Sequence, residues 1–384
     1  MSELAREVDP LEPERHRCAR VEVCSNHSRD RGSTMNITTY GLDLAKRVFQ
    51  VHWVEPETGE VKRKALARGD VGAFFARRAK GIVAMEACAS AHHWGRLLTG
   101  LGQKVKLVAP QFVRPYVKTN KTDAADAQAI WEAAQRPEMR FVALKSEEQQ
   151  AVLSLHRMRA HFVKIRTMQA NQVRGLLYEF GVVVPKGWRA LLAQAAPLLA
   201  DHTRCVVPEL VRAELSMQLE GLDTLTSRIR QLERQIESWQ RRESECQRIA
   251  AIPGVGKLTA TAVVATISDA RSFRSGREFA AFLGLVPRQS GSGGRVKLLG
   301  ISKRGDPYLR TLLIHGARTV LFQQSRLGKS PDPWLKGLLS RRPQNVAVVA
   351  LANKMARTIW ALMAHSRVFD RSWRRAGVAA LAST

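Results

Sequence analysis

Four acidic residues carry the first chemical signal. Asp43 falls in Gly41-Leu42-Asp43-Leu44-Ala45-Lys46, a turn between two extended runs with small or apolar neighbours. Glu86 ends the short apolar strand Gly81-Ile82-Val83-Ala84-Met85-Glu86. Asp123 and Asp126 open a run of good helix formers, and their spacing of three puts them on one helix face. Two carboxylates from a helix and two from strand ends can converge on a hard cation, and oxygen ligands suit Mg²⁺ or Mn²⁺. A pair of such ions ~4 Å apart clamps the attacking and leaving oxygens of a phosphodiester. Each acid also has a plainer reading. Asp123 can be the N-cap of its helix with Asp126 its capping-box partner, and Glu86 can pair with an arginine.

The surroundings of these acids are basic. Lysine and arginine total 61 against 34 acids, a formal charge of +27 in 384 residues. Such an excess attracts polyanions, with nucleic acid foremost and an anionic membrane surface the lesser alternative. The basic residues run the whole length of the chain, as a phosphate-tracking surface requires. Acids inside such a surface repel DNA, so affinity does not explain them.

A second constellation lies downstream. Pro253-Gly254-Val255-Gly256 resembles a helix-hairpin-helix turn, where glycines let backbone N–H groups approach a phosphate and Lys257 adds charge. A plain tight turn is the alternative. It is not a phosphate-cradling P-loop, because Ala251 and Leu258 occupy positions that need glycine and serine or threonine. Gln289-Ser290-Gly291-Ser292-Gly293-Gly294 is a loop with two serines, surrounded by Arg288, Arg295, Lys297, Lys303 and Arg304. A serine nucleophile needs exposure, a positioned phosphate and a route for its proton. Glycines supply exposure, and arginines grip phosphate in bidentate fashion. From the residues alone, a mobile basic linker is the simpler reading.

The elements that must position these groups follow from periodicity. Residues 36–54 read as two extended segments, with a third strand at 60–67 and further strands at 81–86 and 104–108. Asp70 is placed as N-cap of a helix over Val71–Ala79, and helices are expected at Ala91–Gly100 and Ala124–Gln135. Three strands followed by alternating helices and strands give an α/β layer with a mixed sheet. From Lys145 to Gly181 the apolar residues recur at helical spacing, and a break is expected around Pro185–Pro197. Leu222, Leu225, Ile229, Leu232, Ile236 and Trp239 then alternate three and four apart, as a coiled-coil seam does. Either that helix packs on its own domain, or it is a dimerisation arm. Helices at Pro307–Gln323 and Asn345–Met363 complete the chain.

The expected organisation is a disordered extension at 1–34, a metal-binding α/β domain at 35–145 and a helical coiled-coil region at 146–245. A mostly helical domain with the serine loop follows at 246–335, then a C-terminal helix and tail at 336–384. No apolar run reaches the ~18 residues of a membrane span, and residues 1–34 lack the apolar core of a secretory signal. The five cysteines form no CxxC pair, which argues against a zinc site or a disulfide framework and favours a reducing cytoplasm.

Gly41–Lys46, Met85-Glu86-Ala87-Cys88 and Lys121-Thr122-Asp123-Ala124-Ala125-Asp126-Ala127 together resemble the three blocks of the DEDD insertion-sequence transposases. This is insertion-sequence family 110, which also holds the Piv-type invertases. Gly284-Leu285-Val286-Pro287-Arg288-Gln289, Ser292-Gly293-Gly294, Gly300–Asp306 and Leu309-Arg310 are similar to that family's C-terminal block. The resemblance extends from Met35 to about Ala364. It implies a RuvC-like, RNase H-type fold for the first domain, and a catalytic serine that becomes linked to DNA. Ser292 matches that serine by register, with Ser290 the fallback. It further implies a bridge RNA that pairs with donor and target DNA, and a homodimer or homotetramer in which the serine meets acids of another subunit.

The expected function is therefore a site-specific DNA transposase, at work in the cytoplasm on the nucleoid. Asp43, Glu86, Asp123 and Asp126 bind metal and Ser292 attacks. Gly254, Gly256, Lys257, Arg288, Arg295, Lys297, Lys303, Arg304 and Arg310 touch nucleic acid. A RuvC-like junction endonuclease needs only the acids, and a non-enzymatic nucleic-acid scaffold needs neither acids nor serine.

Overall fold

The computed structural model describes residues 37–88, 90–117, 122–201, 203, 205–291, 293, 295–327 and 332–370. The expected extension at 1–34 and the expected nucleophile Ser292 lie outside the described residues.

The first part of the chain is a six-stranded mixed sheet. β1 (Thr39–Asp43), β2 (Val48–Val54) and β3 (Val61–Ala67) form an antiparallel meander. β4 (Ile82–Glu86) and β5 (Lys104–Val108) run parallel to β1, and the two-residue β6 (Phe141–Val142) pairs antiparallel with β5. The spatial order is β3-β2-β1-β4-β5-β6. This mixed sheet fits the RuvC-like expectation.

Strand alternation assigns the two faces. Tyr40, Leu42, Phe49, Val51, Val83, Met85 and Leu107 face α1 (Val71–Ala76) and α2 (Ala91–Gly100), which add Phe75, Trp94 and Leu98 to one core. The intervening residues face the other way. Ala84 and Val108 there meet Val113 from α3 (Pro110–Val113), and Ala129, Ile130 and Ala133 from α4 (Asp123–Ala134). Asp70 takes the N-cap position of α1 as expected, but its side chain makes no cap bond. It ends a short 3₁₀ turn with helical dihedrals, and α1 stops at Ala76.

Two long helices follow. α5 (Glu147–Glu179) starts at a capping box, in which Ser146 Oγ accepts from Gln149 N and Gln149 Oε1 accepts from Ser146 N. α7 (Glu209–Arg242) returns antiparallel to it: Gln169 bonds Gln218, Arg166 bonds Thr226 and Arg159 bonds Glu233, so partner numbers fall as α5 advances. α6 (Trp188–Ala200) closes the far end. The break expected around Pro185–Pro197 is thus mostly helix, with Pro197 inside its last turn. Leu177, Leu191, Leu199, Leu215 and Leu222 make a separate core there. The heptad seam packs within the chain. Leu222, Ile229, Ile236 and Trp239 are buried by residues of the same chain, whereas Leu225 and Leu232 are half-buried.

The roots of this arm enter the C-terminal core, where Val152 of α5 and Trp239 of α7 join α8 (Ser244–Ala250), α9 (Lys257–Thr266) and α10 (Gly276–Phe282). Buried His156 ties the arm down, with Nδ1 against Tyr308 Oη at 2.9 Å and Nε2 against Thr261 Oγ1 at 3.0 Å. Burial lowers its pKa to about 4 and keeps it neutral near pH 7. The expected serine loop starts at the end of a strand: Gln289 and Ser290 close β7 (Pro287–Ser290), which pairs with β8 (Lys297–Ile301) in a hairpin. α11 (Pro307–Arg326), α12 (Pro333–Leu339) and α13 (Gln344–Ala364) follow. By length and apolar composition α13 passes as a membrane span, unlike the expectation from the sequence. Ala347, Val348, Ala352, Met355, Ala356 and Ile359 bury one side of it in the C-terminal core, as a core helix requires.

One contact holds that core tightly. Gly254, at φ +86°, lies against Gly316 of α11, and a Cβ on Gly316 would run into the Gly254 carbonyl oxygen. We expect Gly316→Ala to destabilise the protein by about 1–3 kcal/mol, the usual cost of overpacking. Gly175→Ala, on an open stretch of α5 where a Cβ meets nothing, should raise stability by about 0.5–1 kcal/mol. Chemical denaturation of the two variants checks the contrast.

Candidate active site

Alternation and register bring the acids to one edge of the sheet. Gly41 pairs with Ala84 across β1 and β4, and Leu42 with Met85. Asp43 and Glu86 follow, on the same face as those two small residues. Gly41 is there for a physical reason. A Cβ on it would collide with the Ala127 carbonyl oxygen and stand 2.8 Å from Trp131 Cβ. Only glycine lets α4 lie this close to β1, and Trp131 Nε1 fastens the contact by donating to the Thr39 carbonyl at 3.0 Å. The N-terminal turn of α4 then overhangs the end of β1.

The result is a cluster. Carboxylate oxygens of Asp43, Asp123 and Asp126 lie within 4.8 Å of one another. The N-cap of α4 is Thr122, whose Oγ1 accepts from Ala125 N at 3.2 Å. Asp123 is therefore inside the helix rather than its cap, and Ala125 stands where a capping-box partner of Thr122 would be. The plainer reading of this pair fails. Glu86 is outside the trio, although its charge acts on Asp43. The sequence makes Asp43 and Glu86 the firmer ligands, whereas the geometry groups Asp43 with Asp123 and Asp126 and leaves Glu86 at the flank.

No lysine or arginine pairs with any of the four acids among the described residues. Burial, and then the charges of Asp126, Asp123 and Glu86, push the Asp43 carboxyl up to about 6. A set of oxygen donors that repel one another, with no basic side chain among the described residues to neutralise them, fits a divalent cation. Asp43, Asp123 and Asp126 would hold it, with Glu86 within electrostatic reach.

The basic residues of the second constellation are spread over three places. Arg288, Arg295 and Lys297 are exposed on the hairpin, and Lys303 and Arg304 on the turn that follows it. Lys303 takes a left-handed φ of +54°. Arg310 points inward instead, its Nη1 donating to the carbonyls of Leu283 and Arg304. Gly284 and Gly305 make this clamp possible: side chains there would collide with the Arg304 and Phe282 carbonyl oxygens. The glycines at the base of the hairpin are thus packing residues that sequence reasoning did not single out, although Gly284 and Gly305 flank it symmetrically. Gly254 is spent on α11, whereas Gly256 faces open space at the start of α9. Lys257 forms an ion pair with Glu237 of α7.

Comparison with known proteins decides the family. A model described as the IS116/IS110/IS902 transposase family matches residues 246–330. A DEDD-type IS110 transposase model matches residues 40–181, which hold all four acids. A probable family 20 transposase of Pseudomonas aeruginosa is 51% identical over 335 residues, 87% of this chain and 99% of that protein. The chain belongs to the IS110 family of transposases. The transposase of insertion sequence element IS1111A from Coxiella burnetii is 41% identical over 88% of this chain and 93% of its own length. A pilin gene-inverting protein of Moraxella lacunata is 22% identical over 88% of this chain and 99% of its own. Membership assigns the chain to the enzymes that cut and rejoin DNA.

The repulsion among the acids has a measurable sign. A carboxyl raised from 3.8 to about 6 binds its proton more tightly in the folded state. Its contribution to stability is full below about pH 3.8 and is lost as pH rises through 6. Metal-free Asp43→Asn should therefore be more stable than the parent at pH 7.5, by about 1 kcal/mol once solvent screening is allowed for. The gain should vanish at pH 4. Mg²⁺ should raise the melting temperature of the parent and leave that of Asp43→Asn nearly unmoved.

Proposed function

We propose that this transposase exchanges DNA strands through a composite site, with the carboxylates holding Mg²⁺ or Mn²⁺ and Ser292 as nucleophile. The observation that carries the reading is the convergence of Asp43, Asp123 and Asp126 within 4.8 Å at the end of a RuvC-like sheet, without a basic partner among the described residues. A bound divalent ion supplies charge stabilisation at the scissile phosphate. The chain's own groups supply the rest. The acids orient the ion, while Arg288, Arg295, Lys297, Lys303 and Arg304 draw phosphates toward the hairpin. Ser292 Oγ attacks phosphorus and gives up its proton to solvent, the P–O3′ bond breaks, and the departing 3′-oxygen takes up a proton in turn. A serine–phosphate ester and a free 3′-hydroxyl result, so the phosphodiester bond is conserved for rejoining.

The assignment of Ser292 rests on register with the family's serine loop, and Ser290 at the end of β7 is the fallback. Donor and target double-stranded DNA are the substrates, a bridge RNA selects them by pairing, and a homodimer or homotetramer brings one subunit's serine to another's acids. Residues 35–145 and 246–335 form the two halves of the site, 146–245 the arm between them, and 336–384 completes the second half. The nucleoid is the place of action. The glycine turn at Gly254 and Gly256 and the Lys257 charge contribute sequence-independent contacts.

The test uses full-length protein, DNA carrying the element's own ends, RNA transcribed from its flanks, and Mg²⁺. Asp43→Asn and Asp126→Asn should reduce both adducts and exchange to background. Ser292→Ala should abolish the covalent protein–DNA adduct seen on denaturing gels while nucleic-acid affinity stays within about twofold. Adducts retained in Ser292→Ala would move the role to Ser290 or Ser302. Free 5′-phosphate ends with no attached protein would replace the reading with metal-dependent hydrolysis.

A further inference from the structure

Away from the carboxylates, the arm contains a cavity of about 340 Å³ between the distal half of α5 and the start of α6. Arg166, Asn171, Arg174, Lys186 and Trp188 line it, and none of its lining residues is acidic. A cavity this size falls at the small end of those that seat ligands, about 300–1,000 Å³.

Its charges are arranged at a cost. The Nε–H groups of both Arg166 and Arg174 are buried and find no acceptor. A buried guanidinium donor without a partner is unfavourable by about 1–3 kcal/mol, so two in one cavity call for an acceptor from outside the chain. Arg174 Nη1 reaches only Asn171 Oδ1, at 3.0 Å, and Arg166 Nη1 only Thr226 Oγ1, at 3.4 Å. Burial makes the Arg166 guanidinium harder to keep charged, as do Arg159, Arg189 and Arg230 nearby, against the opposing pull of Glu233. Arg166 and Arg189 both stand over the Trp188 ring, 4.6 and 5.2 Å from its centroid. The indole thus holds the Arg166 guanidinium beside the cavity, by a contact that also keeps it from folding away. Arg166 and Trp188 also serve the arm itself, through Thr226 of α7 and the distal core, but among the described residues the bonds of Arg174 stop at Asn171 of its own helix.

We infer that this cavity seats a phosphodiester unit of an unpaired nucleic-acid strand, at a site separate from the carboxylates. Guanidinium groups match a phosphate's oxygens in fork geometry, and Lys186 adds a point charge at the rim. A recess rather than a flat basic face favours a strand that can bend into it, which a duplex ridge cannot do. A base next to the bound phosphate can stack on the guanidinium groups at Trp188, a contact that tolerates any sequence. The site is a second contact point, on the arm, for strands displaced or supplied during exchange.

The test is binding of labelled 12-nucleotide single-stranded RNA, single-stranded DNA and duplex DNA to full-length protein in EDTA, over a range of salt. EDTA removes any dependence on the carboxylate site, so failure here leaves the metal reading untouched. The double variant Arg174→Gln/Lys186→Gln removes two of the charges that line the cavity. Arg341→Gln/Arg342→Gln, at two exposed positions outside the arm, removes equal charge. The cavity variant should weaken single-strand binding about fivefold or more and lower the salt slope by about one to two, with duplex binding less affected. The control should change single-strand affinity less than twofold. RNA weakened more than DNA, or the reverse, names the strand. Equal losses in the cavity and control variants would overturn the proposal. So would an unchanged salt slope. If the double variant melts below the parent, Lys186→Gln alone, at an exposed position, gives the same reading with a slope change of about one.

Discussion

The closeness of α4 to β1 is the constraint on which the site depends. Gly41 has no side chain, Ala84 beside it has the smallest one, and the helix settles on that pair. One residue pair later, the same face of the sheet presents Asp43 and Glu86. The first turn of α4 presents Asp123 and Asp126 from the other side. Small residues first and acids second, on both strands, is the pattern that converts an α/β layer into a ligand cluster. Its consequence is electrostatic: like charges are forced together, and the Asp43 carboxyl rises to about 6. The hydrophobic contacts of Ala129, Ile130 and Ala133 with Ala84 and Val108 hold the helix against this repulsion.

The same logic of close approach recurs in the C-terminal part. Gly254 against Gly316 seats the turn before α9 on α11. Gly284 and Gly305 allow the strands of the hairpin to leave the core side by side, with Arg310 locking the join through two backbone carbonyls. The hairpin is therefore anchored at its base and exposed along its strands, which keeps its basic residues available to phosphate. Around the negative island of the carboxylates the chain carries a formal charge of +27. That field concentrates nucleic acid at the surface, while the acids stay repulsive to it unless a cation is bound.

The arm joins these regions mechanically. α5 leaves the sheet domain at a capping box, contributes Val152 and His156 to the C-terminal core, and then projects outward with α7. A seam that reads as a dimer interface in one dimension is used here to hold two helices of one chain together, because α5 offers the nearer apolar face. An intrachain partner has no association entropy to overcome, and so it takes the seam first.

Much of this was determined by the sequence alone. Short extended and apolar runs marked the strands, helical spacing marked α5, a run of good helix formers marked α4, and the blocks around Asp43, Glu86, Asp123 and Asp126 marked the acids and the family. These signals are local, and local signals survive in a linear string. Tertiary structure decided the rest. It showed that Thr122 caps α4, which frees Asp123 and Asp126 for the cluster, and that Glu86 flanks that cluster instead of joining it. It set the serine loop between the paired strands of a hairpin, ran α6 through Pro197, and gave the heptad seam a partner within the chain. Each of these depends on distances between residues far apart in sequence, set by how closely backbones can approach. No periodicity in the chain encodes a distance of that kind.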